Sequence, residues 1–339
     1  MKIISEEKKN KLHKKNIKKL KWGVVGCGRY LENTFLPTLK LQKKNQLISV
    51  FSKDDERAAF IRDKFAARFS YSNYNEFLKS DIDAVYISSI NSEHYDQVIK
   101  AAEAGKHILC EKPLAITAKQ AEDMLKVCKK NNVRLGVNYV YRFHPLAVKS
   151  KEIIEKEMLG KIISISADFS INFAPNENFR FKKCESGGGA IRDLGTHMID
   201  LLRYFGGEIE DIKGYVSNVI YKSEVDDFSS GLVKFEKNGF GRFNVSFNAR
   251  TAFNRIEIIG YKGCLCLEHF IGRKNSSSKL TIDLAGEGKK SFRKKANNLT
   301  HLLRSVTNSF LHNEEPLVNG RDGFLNMELM EELEKNSNK

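Results

Sequence analysis

The sequence predicts a two-domain α/β protein: a doubly wound parallel sheet, then an α+β domain on a large, mostly antiparallel, open-faced sheet. Three observations carry that expectation. Strands and helices alternate over about 120 residues after residue 20, the pattern of a parallel sheet with crossover helices. A glycine turn, "VVGCG", directly follows the first strand. Beyond residue 143 the alternation stops, and β-branched strands punctuated by Gly and Asn succeed one another through short turns. A length of 339 residues also suits two domains better than one.

The elements follow in order. "KWGVVG" (21–26) reads as a buried strand running into glycine, and a helix begins after Gly28. "NQLISVFS" (45–52) is the second strand, with a helix over 54–67; "DIDAVYISS" (81–89) is the next, with a helix over 92–105. A short strand (106–110), a helix (118–131) and a strand (133–139) complete the first unit. A helix over 144–159 then leads into "KIISISADFSINF" (161–173), whose length and β-branched content predict a long strand. A helix containing "GGGAIRDLGTHMIDLL" (187–202) interrupts before the remaining strands, which start near 212, 229, 240, 253 and 279. The expected division is a flexible basic tail (1–20), a first domain (21–142), a second domain (143–332) and a polar tail (333–339).

The formal charge of +15 raises the question of nucleic acid. Most of the excess lies in two stretches: residues 1–21 hold nine Lys against two Glu, and residues 273–304 hold nine Lys or Arg against Asp283 and Glu287. The rest is close to neutral, so nucleic acid is not expected as the main partner. No apolar run reaches membrane-spanning length, and the basic N-terminus lacks the apolar core of a secretory signal. Six cysteines without framework spacing read as reduced thiols, and a cytoplasmic protein is expected. Cys264 and Cys266 share one face of a strand and are expected to be small buried side chains rather than metal ligands.

Gly26 and Gly28 sit where backbone N–H groups and a helix N-terminus can receive a pyrophosphate, with Arg29 and Tyr30 following. Leu31 stands where the dinucleotide fingerprint has a third small residue. An acid at the end of the second strand would hold the ribose hydroxyls of NAD; this chain has Ser52 and Lys53. A hydroxyl and an ammonium, with the Arg29 guanidinium nearby, suit a 2′-phosphate, so NADP is expected over NAD. Asp193 and His197 are four apart, hence on one helix face, behind three glycines. Their spacing is ligand-compatible, yet no third ligand accompanies them, and no metal is expected.

"SEHYDQVIKAAEAGKHILCEKPLAITAKQAEDML" (92–125), with Glu-Lys-Pro after a strand, resembles the glucose–fructose oxidoreductase, inositol dehydrogenase and rhizopine-catabolism (Gfo/Idh/MocA) family. "GGGAIRDLGTHMIDLL" resembles that family's second hallmark, and the likeness runs from about Lys21 to Glu332. The resemblance implies a Rossmann domain and hydride transfer between a nicotinamide and a sugar, cyclitol or sugar-derived alcohol or ketone. It implies Lys112, Asp193 and His197 as the catalytic set, with a cis bond before Pro113. Lys112 would stabilise the developing alkoxide, and His197 would give or take the proton. Asp193 would bond the sugar hydroxyl or orient the imidazole. Asn91, His94 and Glu111 would line the nicotinamide side, although Ile90 stands where the family has proline. Arg142 and Arg180 are candidate substrate contacts, with specificity expected from 160–186 and 225–275. A homodimer or homotetramer is implied, with 21–142 as the dinucleotide-binding domain and 143–332 as the substrate and dimerisation domain. The rival reading is a non-catalytic regulator or ligand-binding protein of the same fold.

Overall fold

The computed structural model describes residues 18–237, 239–271 and 277–337. The expected tail therefore lies outside the described residues as far as residue 17, as does the head of the second basic stretch. The first sheet contains β1 (Leu20–Val25), β2 (Asn45–Phe51), β3 (Phe69–Tyr71), β4 (Ala84–Ile87), β5 (His107–Cys110) and β6 (Leu135–Val137). All pairings are parallel, in the order β3-β2-β1-β4-β5-β6. Helices α1 (Leu36–Lys40), α2 (Asp55–Phe65), α3 (Tyr74–Leu78), α4 (Asn91–Glu103) and α5 (Ala118–Lys130) make the connections. β1 and β4 are neighbours where the strand order reverses, and a crevice opens at their carboxyl ends, the expected place for a ligand in such a sheet.

The first sheet follows from its residues. Every residue of β4 is buried, and Trp22, Val24 and Val25 of β1 are fully enclosed, as a strand covered on both faces requires. Trp22 also donates its indole N–H to Asn45 Oδ1 at 2.8 Å, so its one polar atom is satisfied. Asp54, Asn73 and Thr117 each cap the helix that follows them by accepting a backbone N–H.

The second sheet holds β7 (Ile162–Asn172), β8 (Ile209–Ser217), β9 (Phe228–Phe235), β10 (Phe240–Ser246), β11 (Asn248–Gly260), β12 (Gly263–Glu268), β13 (Ser278–Leu284) and β14 (Gly288–Lys294). Its order is β14-β13-β12-β11-β7-β10-β9-β8, antiparallel except that β7 and β10 pair in parallel. α6 (Pro145–Glu155), the single turn α7 (Lys183–Ser186) and α8 (Thr196–Gly206) lie around β7 in sequence. One face of the sheet is apolar and buried, with Ile165, Ala167, Phe243, Val245, Ile256, Ile258 and Leu265. The other exposes Leu232, Phe240 and Tyr215 among charged residues. Cys264 and Cys266 are half-buried rather than buried.

Two helices at the end of the chain tie the sheets together. α9 (Asn298–Leu311) returns to β1, where Phe310 meets Trp22 at 6.0 Å between ring centroids and the Thr307 hydroxyl donates to Asn45 Oδ1 at 2.8 Å. α10 (Gly320–Ser337) supplies Glu331, which accepts the first N–H of α5 at 2.8 Å, and buries Leu333. Residues 333–337, read from sequence as tail, belong to this helix, and the Ser337 hydroxyl accepts the Val216 N–H at 2.8 Å.

Candidate active site

The site is assembled from both sheets. On the first, Gly26 closes β1 with φ +82°, and a β-carbon there would meet the Ser89 backbone at 2.4 Å. Only glycine fits that turn without strain. Ser88 then donates its hydroxyl to the carbonyls of Val25 and Gly26, both at 2.9 Å, joining the ends of β1 and β4. Gly28 differs: a β-carbon there would meet nothing within 4 Å, so its exposed face is open. The helix that starts after it has no side-chain cap and runs as a wide turn over Leu31–Phe35, the Leu36 N–H bonding five residues back to Leu31. Leu31 is fully buried inside that turn. The widened helix houses the bulky residue at the fingerprint's small position.

The loop after β5 carries Glu111, Lys112 and Pro113, and the Lys112–Pro113 bond is cis. The second contribution comes through the glycines. Gly187 has φ +80° and lies against Ile116, just beyond the Lys112 loop; a β-carbon on Gly189 would fall 1.9 Å from the Asp226 carbonyl oxygen. A second wide turn follows over Ile191–Gly195, with the Thr196 N–H bonded back to Ile191, and α8 continues from it. Asp193 lies in the wide turn and His197 in the first turn of α8, so the simple one-above-the-other stacking expected from spacing is modified.

Lys112 Nζ donates to Asp193 Oδ1 at 2.7 Å and to the Asp193 carbonyl at 2.8 Å, across 81 residues of sequence. Arg180 Nε donates to the same carboxylate oxygen at 3.1 Å, with its guanidinium 4.7 Å over the Phe179 ring. Burial disfavours charge on Asp193, yet the Lys112 and Arg180 cations override it and hold the carboxyl well below the usual range. Burial, and then the Lys112 charge, hold His197 well below its ordinary value, with Asp193 opposing. The imidazole is therefore neutral at neutral pH. Asp193 bonds the two cations, not His197. The His197 ring instead lies edge-on to Tyr141 at 4.7 Å and Tyr139 at 6.2 Å.

These groups border one cleft of about 820 Å³, within the usual span for a small-molecule site. Gly28, Arg29, Tyr30, Asn91, Glu111, Lys112, Arg180, Asp193 and His197 all line it. Five other sequence candidates do not, Gly26 among them, which packs against the Ser88–Ser89 backbone. His94 is buried behind the loop, with Nδ1 3.0 Å from the Pro113 carbonyl and Nε2 3.2 Å from that of Ser89. It braces the lysine loop rather than facing the cleft. Arg142, a candidate substrate contact, also lies off this lining: it makes a buried bidentate pair with Asp200 at 2.9 and 2.6 Å and reaches Asp322 at 3.0 Å. Removing one partner of such a pair costs about 3–5 kcal/mol, so Arg142 contributes to the stability of the fold behind the cleft. Ser52 and Lys53 lie at the end of β2 outside this lining; the Ser52 hydroxyl accepts the Asp54 N–H at 3.3 Å, and Lys53 pairs with Glu93.

Sequence reasoning missed several cleft residues. Asn138, Phe169, Asn176 and Asn178 line it, the last three from the 160–186 stretch expected to set specificity. No described residue of 225–275 lines it. Glu111 accepts from the Tyr86 hydroxyl and the Asn138 amide, and burial pushes its carboxyl up. Asn138 Oδ1 is buried with no hydrogen-bond partner among the described residues. Such an orphan acceptor on a cleft wall suits a hydroxyl or amide donor from a bound ligand. With the open face of Gly28 and the uncapped helix start, the residues fit a dinucleotide. No group of three or more His, Cys, Asp or Glu is gathered for a metal among the described residues, and none of their helices is long and apolar enough to cross a membrane.

A family model described as "Oxidoreductase family, NAD-binding Rossmann fold" matches residues 20–139, and one described as "GFO/IDH/MocA C-terminal domain" matches residues 147–266. Among curated relatives, 1,5-anhydro-D-fructose reductase of Ensifer adhaerens is 27% identical over 307 residues, 89% of this chain and 92% of that protein. D-xylose 1-dehydrogenase (NADP(+)) 2 of Haloferax volcanii is 27% identical over 70% of this chain and 72% of its own length. Among solved structures, levoglucosan dehydrogenase in complex with NADH and levoglucosan superposes with a TM-score of 0.87 at 23% identity, covering 95% of this chain and 98% of that one.

Proposed function

The chain belongs to the Gfo/Idh/MocA family of NAD(P)-dependent oxidoreductases, and from that premise we propose that Lys112, Asp193 and His197 are the catalytic residues that manage the proton and the oxygen charge while a hydride passes between a nicotinamide and a sugar-like alcohol or ketone. The bound nicotinamide supplies or accepts the hydride. The remaining work falls to the protein. Lys112 donates a hydrogen bond to the substrate oxygen and stabilises the alkoxide that develops there. His197, neutral, removes the hydroxyl proton in oxidation; in reduction it returns that proton from its protonated form. Asp193 fixes Lys112 and neutralises part of its charge. One observation carries this reading: an ammonium from the first sheet's loop and an imidazole from the second domain's helix border the same cleft.

The cofactor is NADP on this reading. Asp54, the nearest carboxylate beyond β2, accepts the Arg57 N–H at 3.0 Å as the cap of α2, so it is committed to its own helix. Ser52, the largely exposed Lys53, which pairs with Glu93, and the exposed Arg29 are the hydroxyl and cations near the ribose end, which favours a 2′-phosphate. The substrate class is a sugar, cyclitol or a derivative, and the half-exposed apolar residues of the second sheet's open face support pairing of two copies there. Buried reduced thiols at Cys27, Cys110 and Cys128 favour the cytoplasm.

The test is a turnover screen with NADPH, NADP, NADH and NAD over free sugars, cyclitols and nucleotide sugars, read at the reduced-nicotinamide absorbance. Turnover that vanishes in Lys112→Met and in His197→Ala, with cofactor binding kept, is expected. Turnover retained in both variants would overturn the assignment.

A further inference from the structure

Asp226 lies outside the cleft lining, yet it is bonded to the start of the helix that carries Asp193 and His197. It sits just before β9, buried, with both carboxylate oxygens used: Oδ1 accepts the Gly189 N–H at 2.7 Å and Oδ2 the Ile191 N–H at 2.8 Å. Its own carbonyl accepts the Ala190 N–H at 3.0 Å. One residue thus satisfies three successive N–H groups of a helix start whose first turn holds the candidate acid. An ordinary N-cap satisfies one or two and tolerates exchange among Ser, Thr and Asn. Here the approach is so close that residue 189 must be glycine.

We propose that Asp226 is a positioning residue for hydride transfer: it fixes the peptide planes of residues 189–191 so that Asp193 meets Lys112 and Arg180 from the wide turn. The inference rests on the function proposed above. The turn is braced on three sides. Gly187 abuts Ile116 beyond the lysine loop, Asn91 Nδ2 donates to the Ser186 carbonyl at 2.9 Å, and Arg192 is clamped to Glu334 of α10, Nε to Oε1 at 3.0 Å. Without the Asp226 bonds the segment 187–191 would be held only at its flanks. A shift of about 1 Å in a positioned group can cost about 100-fold in rate.

Burial, opposed by the two N–H donors, pushes Asp226 up to about 6. The charged groups around it are Glu334, whose carboxylate adds to that rise; Arg192, which pairs with Glu334; and neighbouring Asp227, whose carboxylate is bonded to the N–H groups of Val219, Ile220 and Tyr221. Protonation gives one carboxyl oxygen a hydrogen and weakens its acceptance of an N–H. Turnover should therefore fall as pH drops through about 6.

The experiment compares wild type with Asp226→Asn and Asp226→Ser, using two readouts. Amide hydrogen exchange of residues 187–195, referenced to peptides of the first sheet, needs no substrate; protection there should drop tenfold or more in both variants while the reference is unchanged. In turnover with the best substrate of the screen, kcat should fall roughly 10- to 100-fold, with the dissociation constant for NADPH unchanged and the acid limb near pH 6 lost. Ser retains a capping hydroxyl and so preserves the fold if Asn does not. Wild-type protection at 187–195 in both variants, or wild-type kcat with an unaltered acid limb, would overturn the proposal, as would a wild-type profile flat between pH 5 and 7. A wild type inactive on every substrate but showing the exchange change would instead count against the hydride-transfer reading.

Discussion

Lys112→Met is the most informative single change. The substitution keeps the length of an aliphatic stem that is 13% exposed and removes only the ammonium. Two hydrogen bonds are lost, 2.7 Å to the Asp193 carboxylate and 2.8 Å to its carbonyl. Removing one partner of a buried pair usually costs about 3–5 kcal/mol because a charge is stranded. Asp193 is not stranded here, since Arg180 remains 3.1 Å away. The stability loss should therefore be nearer the worth of one charged hydrogen bond, about 1.5–3 kcal/mol, and the protein should fold. The loss in catalysis should be larger. A donor aimed at a developing oxyanion contributes about 100- to 1,000-fold, some 3–4 kcal/mol. NADPH binding should stay within about threefold, since Lys112 acts at the reacting carbon. Steady-state kinetics, a cofactor titration and a thermal melt measure all three quantities. A kcat within threefold of wild type, in a protein that melts normally, would refute the reasoning.

Three further outcomes follow from the same geometry. Gly28→Val should fold with stability within about 1 kcal/mol of wild type, because its side chain meets open space, yet should weaken NADPH binding tenfold or more by filling the cradle; calorimetric titration and a melt check both. Ser52→Asp combined with Lys53→Ala should shift the NADP-to-NAD ratio of kcat/KM toward NAD by about 10- to 100-fold, the worth of one charged contact to a phosphate; an unchanged ratio would locate the 2′-group elsewhere. Asp193→Asn should alter the pH dependence of stability. The folded carboxyl lies below its unfolded value, so the stability it contributes is present above about pH 4 and is lost as pH falls toward the folded value. Urea titrations between pH 7 and pH 3 should show a shallower acid loss in the variant, from a lower starting stability, since Lys112 and Arg180 are left uncompensated.

What could be read from the residues alone divides along physical lines. The parallel sheet announced itself through long alternating elements, but β3 and α3, three and five residues long, are too short for any periodicity to register. The parallel pairing of β10 with β7 depends on spatial order that successive strands do not encode. Motifs singled out Lys112, Asp193 and His197, which the fold brings to one cleft. They could not disclose that Asp193 would bond cations instead of imidazole, because the wide turn departs from the helical period on which the stacking rested. Asn138 and Asp226 belong to no motif; only the fold brings an amide from the end of β6 to the cleft and a carboxylate from before β9 to the helix start behind it. The pairing of Arg142 with Asp200 was equally invisible, since an arginine on a cleft wall and one buried in an ion pair look alike in sequence.

The proton and donor inventory constrains how the proposed set can work. A lysine ammonium has three N–H donors and no acceptor. Asp193 takes two of them, through its carboxylate and its carbonyl, so Lys112 retains one for a substrate oxygen. That arrangement orients the ammonium without quenching it, because the Asp193 charge is shared with Arg180. It also explains why the carboxylate is better bonded to Lys112 than to His197. An Asp–His pair would raise the imidazole's proton affinity and leave it charged beside Lys112; instead burial and the Lys112 charge keep the ring neutral. A neutral base facing a fixed single donor suits abstraction of a hydroxyl proton while the departing charge on oxygen is caught by lysine. In the reverse direction the same ring must first acquire a proton, so reduction should lose rate as pH rises while oxidation does not. Above the acid limb attributed to Asp226, a rate that falls with rising pH in reduction and holds level in oxidation, measured on one substrate pair, is the expected signature of this charge arrangement.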